Sequence, residues 1–134
     1  MRKNNATLNG QLSRVISETG HTDLIVVTDA GLPIPAGVER VDLAVRPGLP
    51  SFLDLLDTVL AELVIESATL SEEVRAHSPE MLTAIRQRLT PLGITIDFVP
   101  HEDFKVRSRQ ARAAVRSGEF TAYANVILHA GVAY

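Results

Sequence analysis

The chain has 134 residues, of which 46% are hydrophobic and 22% are charged, and its formal net charge is −3 at pH 7. These values predict one globular domain over residues 1–134 that needs no disulfide, and they disfavour nucleic-acid binding, which draws on a basic surface. Cysteine is absent, no apolar run has the ~18 residues of a membrane span, and the N-terminus lacks the apolar region of a secretory signal, so we expect a cytoplasmic protein without zinc–thiolate sites.

The first half of the chain alternates between helical and strand patterns. Apolar residues at helical spacing between residues 8 and 16 predict a first helix, which ends at Gly20. The unbroken apolar run 24–27 predicts a strand buried on both faces of a sheet. After a loop rich in glycine and proline, residues 40–45 predict a second strand.

The second half continues this alternation. Ser78 and Pro79 are typical of a helix N-cap and first turn, and Gly93 is typical of a residue that ends a helix. The periodicity predicts three further helices, at 51–63, 79–92 and 101–110, and four further strands, at 64–70, 94–99, 111–117 and 124–132. Strands that alternate with helices predict a three-layer α/β/α domain with a largely parallel sheet of about six strands.

Two polar residues follow predicted strands directly. Asp29 ends the first buried strand, and His101 follows the strand at 94–99. In parallel α/β sheets ligands bind at the carboxyl ends of the strands, so both are candidate site residues. Each also has a structural interpretation: an aspartate at a strand end forms turns, and His21, just after a glycine, could cap the first helix. His77 and His129 are assigned structural roles.

The segment GLPIPAG, residues 31–37, follows Asp29. It lacks the glycine pattern and the lysine of a phosphate-binding loop, and its prolines remove amide donors that such a loop would use. The prolines fix the backbone, so we interpret the segment as a rigid loop that holds Asp29 in place.

Six short motifs, taken in order, span nearly the whole chain. They are GHTD at 20–23, DAGLPIP at 29–35, GLPSF at 48–52, HEDFK at 101–105, RSGE at 116–119 and YANVIL at 123–128. Together they resemble the D-ribose pyranase family, small enzymes that interconvert the ring forms of free ribose. The related L-fucose mutarotase branch shares this plan, but its loop after the first strand usually differs from DAGLPIP, which favours the ribose branch.

The resemblance implies roles for individual residues. The histidine of GHTD, His21, corresponds to the family's general acid. The sugar-binding residues correspond to Asp29, His101, Tyr123 and Asn125. Lys105 lies one helical turn beyond His101, within possible reach of the same sugar. Ring opening and closure transfer no electron and no group, so the implied chemistry needs no cofactor, and no metal is implied.

The spacing of His21 and Asp29 bears on how such a site is assembled. Eight residues at about 3.3 Å each can separate them by up to roughly 26 Å, so one small sugar could not touch both across an extended strand. The family resemblance implies a ring-like homo-oligomer, a decamer, with clefts between adjacent subunits. We therefore expect a composite site at a subunit interface.

Other functions are compatible with the same residues. Two histidines and an aspartate match the ligand count of a zinc or non-haem iron centre, although His-x-His and His-x-x-x-His spacings are missing. A non-catalytic sugar-binding module would use the same side chains as an enzyme. A mutarotase acting on L-fucose or another aldose would share the chemistry, because the preferred sugar depends on the shape of the pocket.

Overall fold

A computed structural model describes residues 1–4 and 6–134. Its strands are β1 (Leu24–Thr28), β2 (Glu39–Asp42), β3 (Ile65–Ser71), β4 (Thr95–Val99), β5 (Ala113–Arg116) and β6 (Val126–Ala130). Its α-helices are α1 (Gly10–Glu18), α2 (Phe52–Leu60), α3 (Val74–His77), α4 (Pro79–Leu89) and α5 (His101–Ser108). A 3₁₀ turn, Thr90–Leu92, extends α4 to Gly93. All six predicted strands are therefore present.

The strands form one mixed sheet in the order β2-β5-β1-β6-β3-β4. The pairs β2–β5, β5–β1 and β3–β4 are parallel, whereas β6 runs antiparallel to both of its neighbours, β1 and β3. The prediction of a largely parallel sheet of six strands is thus confirmed. The carboxyl ends of β1 and β4 and the start of β6 consequently lie at one edge of the sheet, which we call the carboxyl edge. The start of β1 and the end of β6 lie at the opposite edge, the amino edge.

Apolar layers cover both faces of the sheet, as the three-layer prediction requires. Helices α1, α2 and α4 pack on one face, where the fully buried Phe52 belongs to the larger core. On the other face α5 contributes the fully buried Phe104, and the loop after β1 contributes Leu32. Strand β1 sends Val27 into the first core and Val26 into the second, as its unbroken apolar run predicts.

The structure differs from the predicted elements at several boundaries and by one additional helix. Helix α1 ends at Glu18 rather than at Gly20, and the short helix α3 was not predicted. Ser78 is the N-cap of α4, as predicted, and its carbonyl accepts from the Leu82 N–H at 3.1 Å, but its side chain does not cap the helix. The Ser78 hydroxyl instead donates to the Ala122 carbonyl at 2.7 Å, because the loop between β5 and β6 lies beside the start of α4. In the part of the chain that the structure describes, the helices are too short or too polar to cross a membrane.

His129 has the structural role that the sequence predicts, inside a polar network on the α5 face. The Thr69 hydroxyl donates to Asp97 Oδ1 at 2.6 Å, so its remaining contact, 3.0 Å from His129 Nε2, takes its proton from the imidazole. Burial lowers the pKa of His129, partly offset by the nearby Asp97 carboxylate. The folded protein therefore prefers this imidazole neutral.

This preference predicts a pH-dependent loss of stability. The unfolded chain takes up a proton at His129 near its ordinary pKa of about 6.5, and the folded chain takes it up only at lower pH. The free energy of unfolding should therefore fall as the pH drops from about 6.5 towards the folded pKa. Urea unfolding at stepped pH should give a shallower decline for His129→Gln than for wild type, because the other histidines titrate in both. Parallel profiles would contradict the prediction.

Candidate active site

Four predicted sugar-binding residues meet at the carboxyl edge. Asp29, His101, Tyr123 and Asn125 line one open cavity of about 210 Å³. Asp29 follows β1, His101 begins α5 after β4, and the other two lie in the loop before β6. The mixed topology of the sheet is what brings these distant segments together.

Four hydrogen bonds hold the N–H and the carboxylate of Asp29. Its N–H donates to Asn125 Oδ1 at 2.8 Å, and Asn125 Nδ2 donates to Asp29 Oδ2 at 3.1 Å. Its other carboxylate oxygen accepts from the N–H groups of Gly31 and Leu32, at 3.0 and 2.8 Å. The aspartate is therefore both the turn former and a cavity residue, so the two sequence interpretations are compatible. These bonds fix the orientation of the Asp29 carboxylate, which can accept a hydrogen bond from a ligand hydroxyl without first rearranging.

Asn125 should contribute measurably to stability, because the residue is 1% exposed and its side chain pairs with both the N–H and the carboxylate of Asp29. Replacing it with alanine leaves the Asp29 N–H without its partner. We expect the free energy of unfolding to fall by about 1–3 kcal/mol in Asn125→Ala. Chemical denaturation measures this, with Gln87→Ala, an exposed position on α4, as the matched control. Equal stability of the two variants would contradict the prediction.

Aromatic contacts hold Tyr123 and His101. Tyr123 adopts a left-handed backbone conformation with φ of 63°, which is uncommon outside glycine and marks a tightly determined position. Its ring lies 5.1 Å from that of His101, edge to face, and 5.2 Å from that of His77. His77 thus supports the cavity wall, in agreement with the structural role assigned to it, but nothing in its local pattern connects it to Tyr123.

Contacts of both the backbone and the ring hold His101 in position. Its N–H, at the start of α5, donates to the Glu73 carboxylate, 2.9 Å from Oε2. Its ring stacks on Phe104 at 6.2 Å with an interplanar angle of 12°. Nδ1 is buried without a hydrogen-bond partner among residues 1–4 and 6–134. The ring is therefore oriented by packing and by the backbone of α5.

His21 lies at the amino edge, away from this cavity. Its loop is closed by the Thr22 N–H, which donates to the Ala130 carbonyl at 2.9 Å, and Thr22 has a φ of 71°. Asp23 braces the same loop by accepting from the Gly20 N–H and from Arg112. These two donors hold the pKa of Asp23 below its ordinary value. These hydrogen bonds therefore hold the backbone of His21 in a defined position.

The alternative interpretation of His21 as a cap for α1 is wrong. Thr19 carries out that capping: its N–H donates to the Ile16 carbonyl at 3.3 Å and its hydroxyl to the Val15 carbonyl at 2.7 Å. The imidazole of His21 instead contacts Glu66, with Nε2 and Oε1 3.0 Å apart. Sequence reasoning missed Glu66; the available signal was one carboxylate in the strand pattern VIESATL.

Lys105 lies beside the cavity rather than in its lining. Its ammonium group pairs with Glu102 at 2.7 Å, and it lines a neighbouring cleft together with the proline segment 33–35. Pro33 separates this cleft from the cavity, since it lines both. As for the metal interpretation, no cluster of three or more potential ligand side chains occurs within the described residues.

Comparisons with known proteins agree with these observations. Residues 1–133 match the model of the RbsD / FucU transport protein family. The D-ribose pyranase of Laribacter hongkongensis is 53% identical over 132 residues, which cover 98% of this chain and 99% of the relative, and that of Bacillus cereus is 48% identical with the same coverage. The structure of Bacillus subtilis RbsD complexed with D-ribose superposes with a TM-score of 0.94, at 38% identity and 99% and 100% coverage. A Streptococcus pneumoniae fucose mutarotase in complex with L-fucose superposes with a TM-score of 0.81, at 29% identity and 95% coverage of both chains.

Proposed function

Because the chain belongs to the RbsD / FucU transport protein family, we propose that it is an isomerase, a D-ribose pyranase that interconverts the pyranose and furanose forms of free D-ribose in the cytoplasm. The observation that carries this proposal is the cavity in which Asp29, His101, Tyr123 and Asn125 converge. The full-length pyranase relatives and the ribose-bound neighbour support ribose as the sugar. The fucose mutarotase neighbour is less similar in both sequence and structure.

The side chains of the cavity suit a small polyol. The Asp29 carboxylate accepts hydrogen bonds from hydroxyl groups, and Asn125 lies within the same network. Tyr123 offers an aromatic face to the C–H groups of the sugar and a polar tip to its hydroxyls. His101 contributes an imidazole at the wall beside Tyr123.

Converting the rings requires proton transfer at two oxygens. The ring oxygen gains a proton while the anomeric hydroxyl loses one, the bond between C1 and the ring oxygen breaks, and the open-chain aldehyde forms. Closure by the C4 hydroxyl instead of the C5 hydroxyl then gives the furanose. We assign the proton donor to His21, since imidazole exchanges protons near neutral pH.

This assignment requires two copies of the chain. Within one chain His21 lies before β1 and Asp29 after it, at opposite edges of the sheet. We propose that the amino edge of one subunit meets the carboxyl edge of the next in a ring-like homo-oligomer, a decamer, so that each site is composite. Light scattering on the purified protein measures the subunit number, and a monomer would contradict this arrangement.

Two-dimensional exchange NMR on D-ribose at equilibrium tests the proposed activity. Wild-type protein should produce exchange between the pyranose and furanose anomeric signals well above the rate in buffer. L-Fucose and other aldoses are measured in parallel, and faster exchange of L-fucose than of ribose would identify a mutarotase of the other branch. Saturable ribose binding with exchange at the buffer rate would identify a non-catalytic binding protein.

A further inference from the structure

The contact between His21 and Glu66 is a hydrogen bond at the surface of the single chain, and it is an ion pair only when the imidazole is protonated. The side chains are 50% and 53% exposed, and His21 Nε2 lies 3.0 Å from Glu66 Oε1. Exposed ion pairs add little to stability because water and salt screen them. A gain in stability therefore does not explain the backbone geometry around the contact between His21 and Glu66.

Two backbone features adapt the sheet to Glu66. Ile65 pairs with Ala130 and Ser67 with His129, so Glu66 is the extra residue of a β-bulge in β3. Bulges re-aim side chains out of the ordinary alternation. Gly131 then leaves room for the side chain: a Cβ at this position would lie 2.5 Å from Glu66 Cγ, a distance that real contacts do not reach.

The hydrogen bond also distinguishes the two nitrogens of His21. A carboxylate can only accept, so the imidazole proton of this contact lies on Nε2. Among the residues that the structure describes, Glu66 is the hydrogen-bond partner of this ring. Nδ1 is consequently the nitrogen that this contact leaves available for a proton transfer.

We propose that Glu66 is a positioning residue for the general acid: it holds the His21 ring in one orientation and one tautomer, with Nδ1 directed to the sugar. The inference rests on the proposed function, since it concerns the same site. A carboxylate partner of this kind fixes the ring and keeps one nitrogen as the reactive one, as in other carboxylate–histidine pairs. Glu66 itself need not touch the sugar.

The first test compares exchange rates in a double-mutant cycle. Glu66→Ala should lower catalysed ribose exchange by about 10- to 100-fold, and ribose affinity should stay near the wild-type value. Glu66→Gln retains an acceptor for the Nε2 proton and should fall between wild type and Glu66→Ala. In a His21→Ala background, Glu66→Ala should have no further effect, because its action passes through the imidazole. An equal loss in both backgrounds would overturn the proposal.

The second test needs no activity. Long-range ¹⁵N–¹H NMR of the His21 ring should show protonated Nε2 and unprotonated Nδ1 in neutral wild-type protein, and a mixture of tautomers in Glu66→Ala. Asp57→Asn, which removes another half-exposed carboxylate that pairs with Arg88 between α2 and α4, is the control and should change neither readout. An unchanged His21 spectrum in Glu66→Ala would overturn the positioning role. Wild-type exchange at the buffer rate would instead refute the proposed function, and the two failures are thereby distinguished.

Discussion

His21→Ala should lower the catalysed exchange of D-ribose ring forms by about 10²- to 10⁴-fold, the usual contribution of a placed general acid or base. Alanine cannot deliver a proton to the ring oxygen, whereas Asp29, Asn125 and the aromatic wall of the cavity remain in place. Ribose should therefore still bind. Exchange NMR measures the rate, and a ribose titration followed by saturation-transfer NMR measures the affinity.

The matched control for this experiment is His129→Gln, a second histidine at the amino edge that contacts Thr69 rather than a sugar. At neutral pH it should retain the wild-type exchange rate. Thermal unfolding of both variants separates lost chemistry from lost structure, and His21→Ala should unfold close to wild type because its side chain is half exposed. Full activity in His21→Ala would remove this residue from the mechanism.

Asp29→Asn should also lose most activity, because it removes the charged acceptor of the cavity, and a mixture of this variant with His21→Ala should recover activity if the site is shared between subunits. His21→Ala retains an intact cavity at its carboxyl edge, and Asp29→Asn retains an intact His21 at its amino edge. In a random one-to-one co-assembly, about one interface in four joins the intact edge of each variant, so roughly a quarter of the wild-type activity should return. Two different affinity tags on co-expressed chains isolate the mixed oligomers for exchange NMR.

The control for this experiment is each variant co-expressed with itself, which should stay inactive. A mixed oligomer as inactive as its parents would show that His21 and Asp29 of one chain serve one site. The structure argues against that outcome, because the two residues flank β1 and lie at opposite edges of the same sheet.

Local patterns carried the prediction of secondary structure. The unbroken apolar run of β1 and the apolar face of α2 depend on residues that are adjacent in sequence or one helical turn apart. The strand and the helix both form at the predicted positions. The side chain of Ser78 is the opposite case: a capping hydroxyl accepts from a helix N–H, whereas this one donates to the carbonyl of Ala122, which lies in a loop far along the chain. Local periodicity contains no information about such a partner.

The candidate site divides in the same way. Short motifs and strand boundaries are local features, so the residue types of the proposed chemistry and the place of Asp29 at a strand end could be predicted from the sequence. The contacts between distant residues could not: Asn125 holds Asp29, His77 supports Tyr123, and Glu66 reaches His21. Strand order, the reversed direction of β6 and the bulge at Glu66 arise from packing between distant segments, which no local pattern specifies.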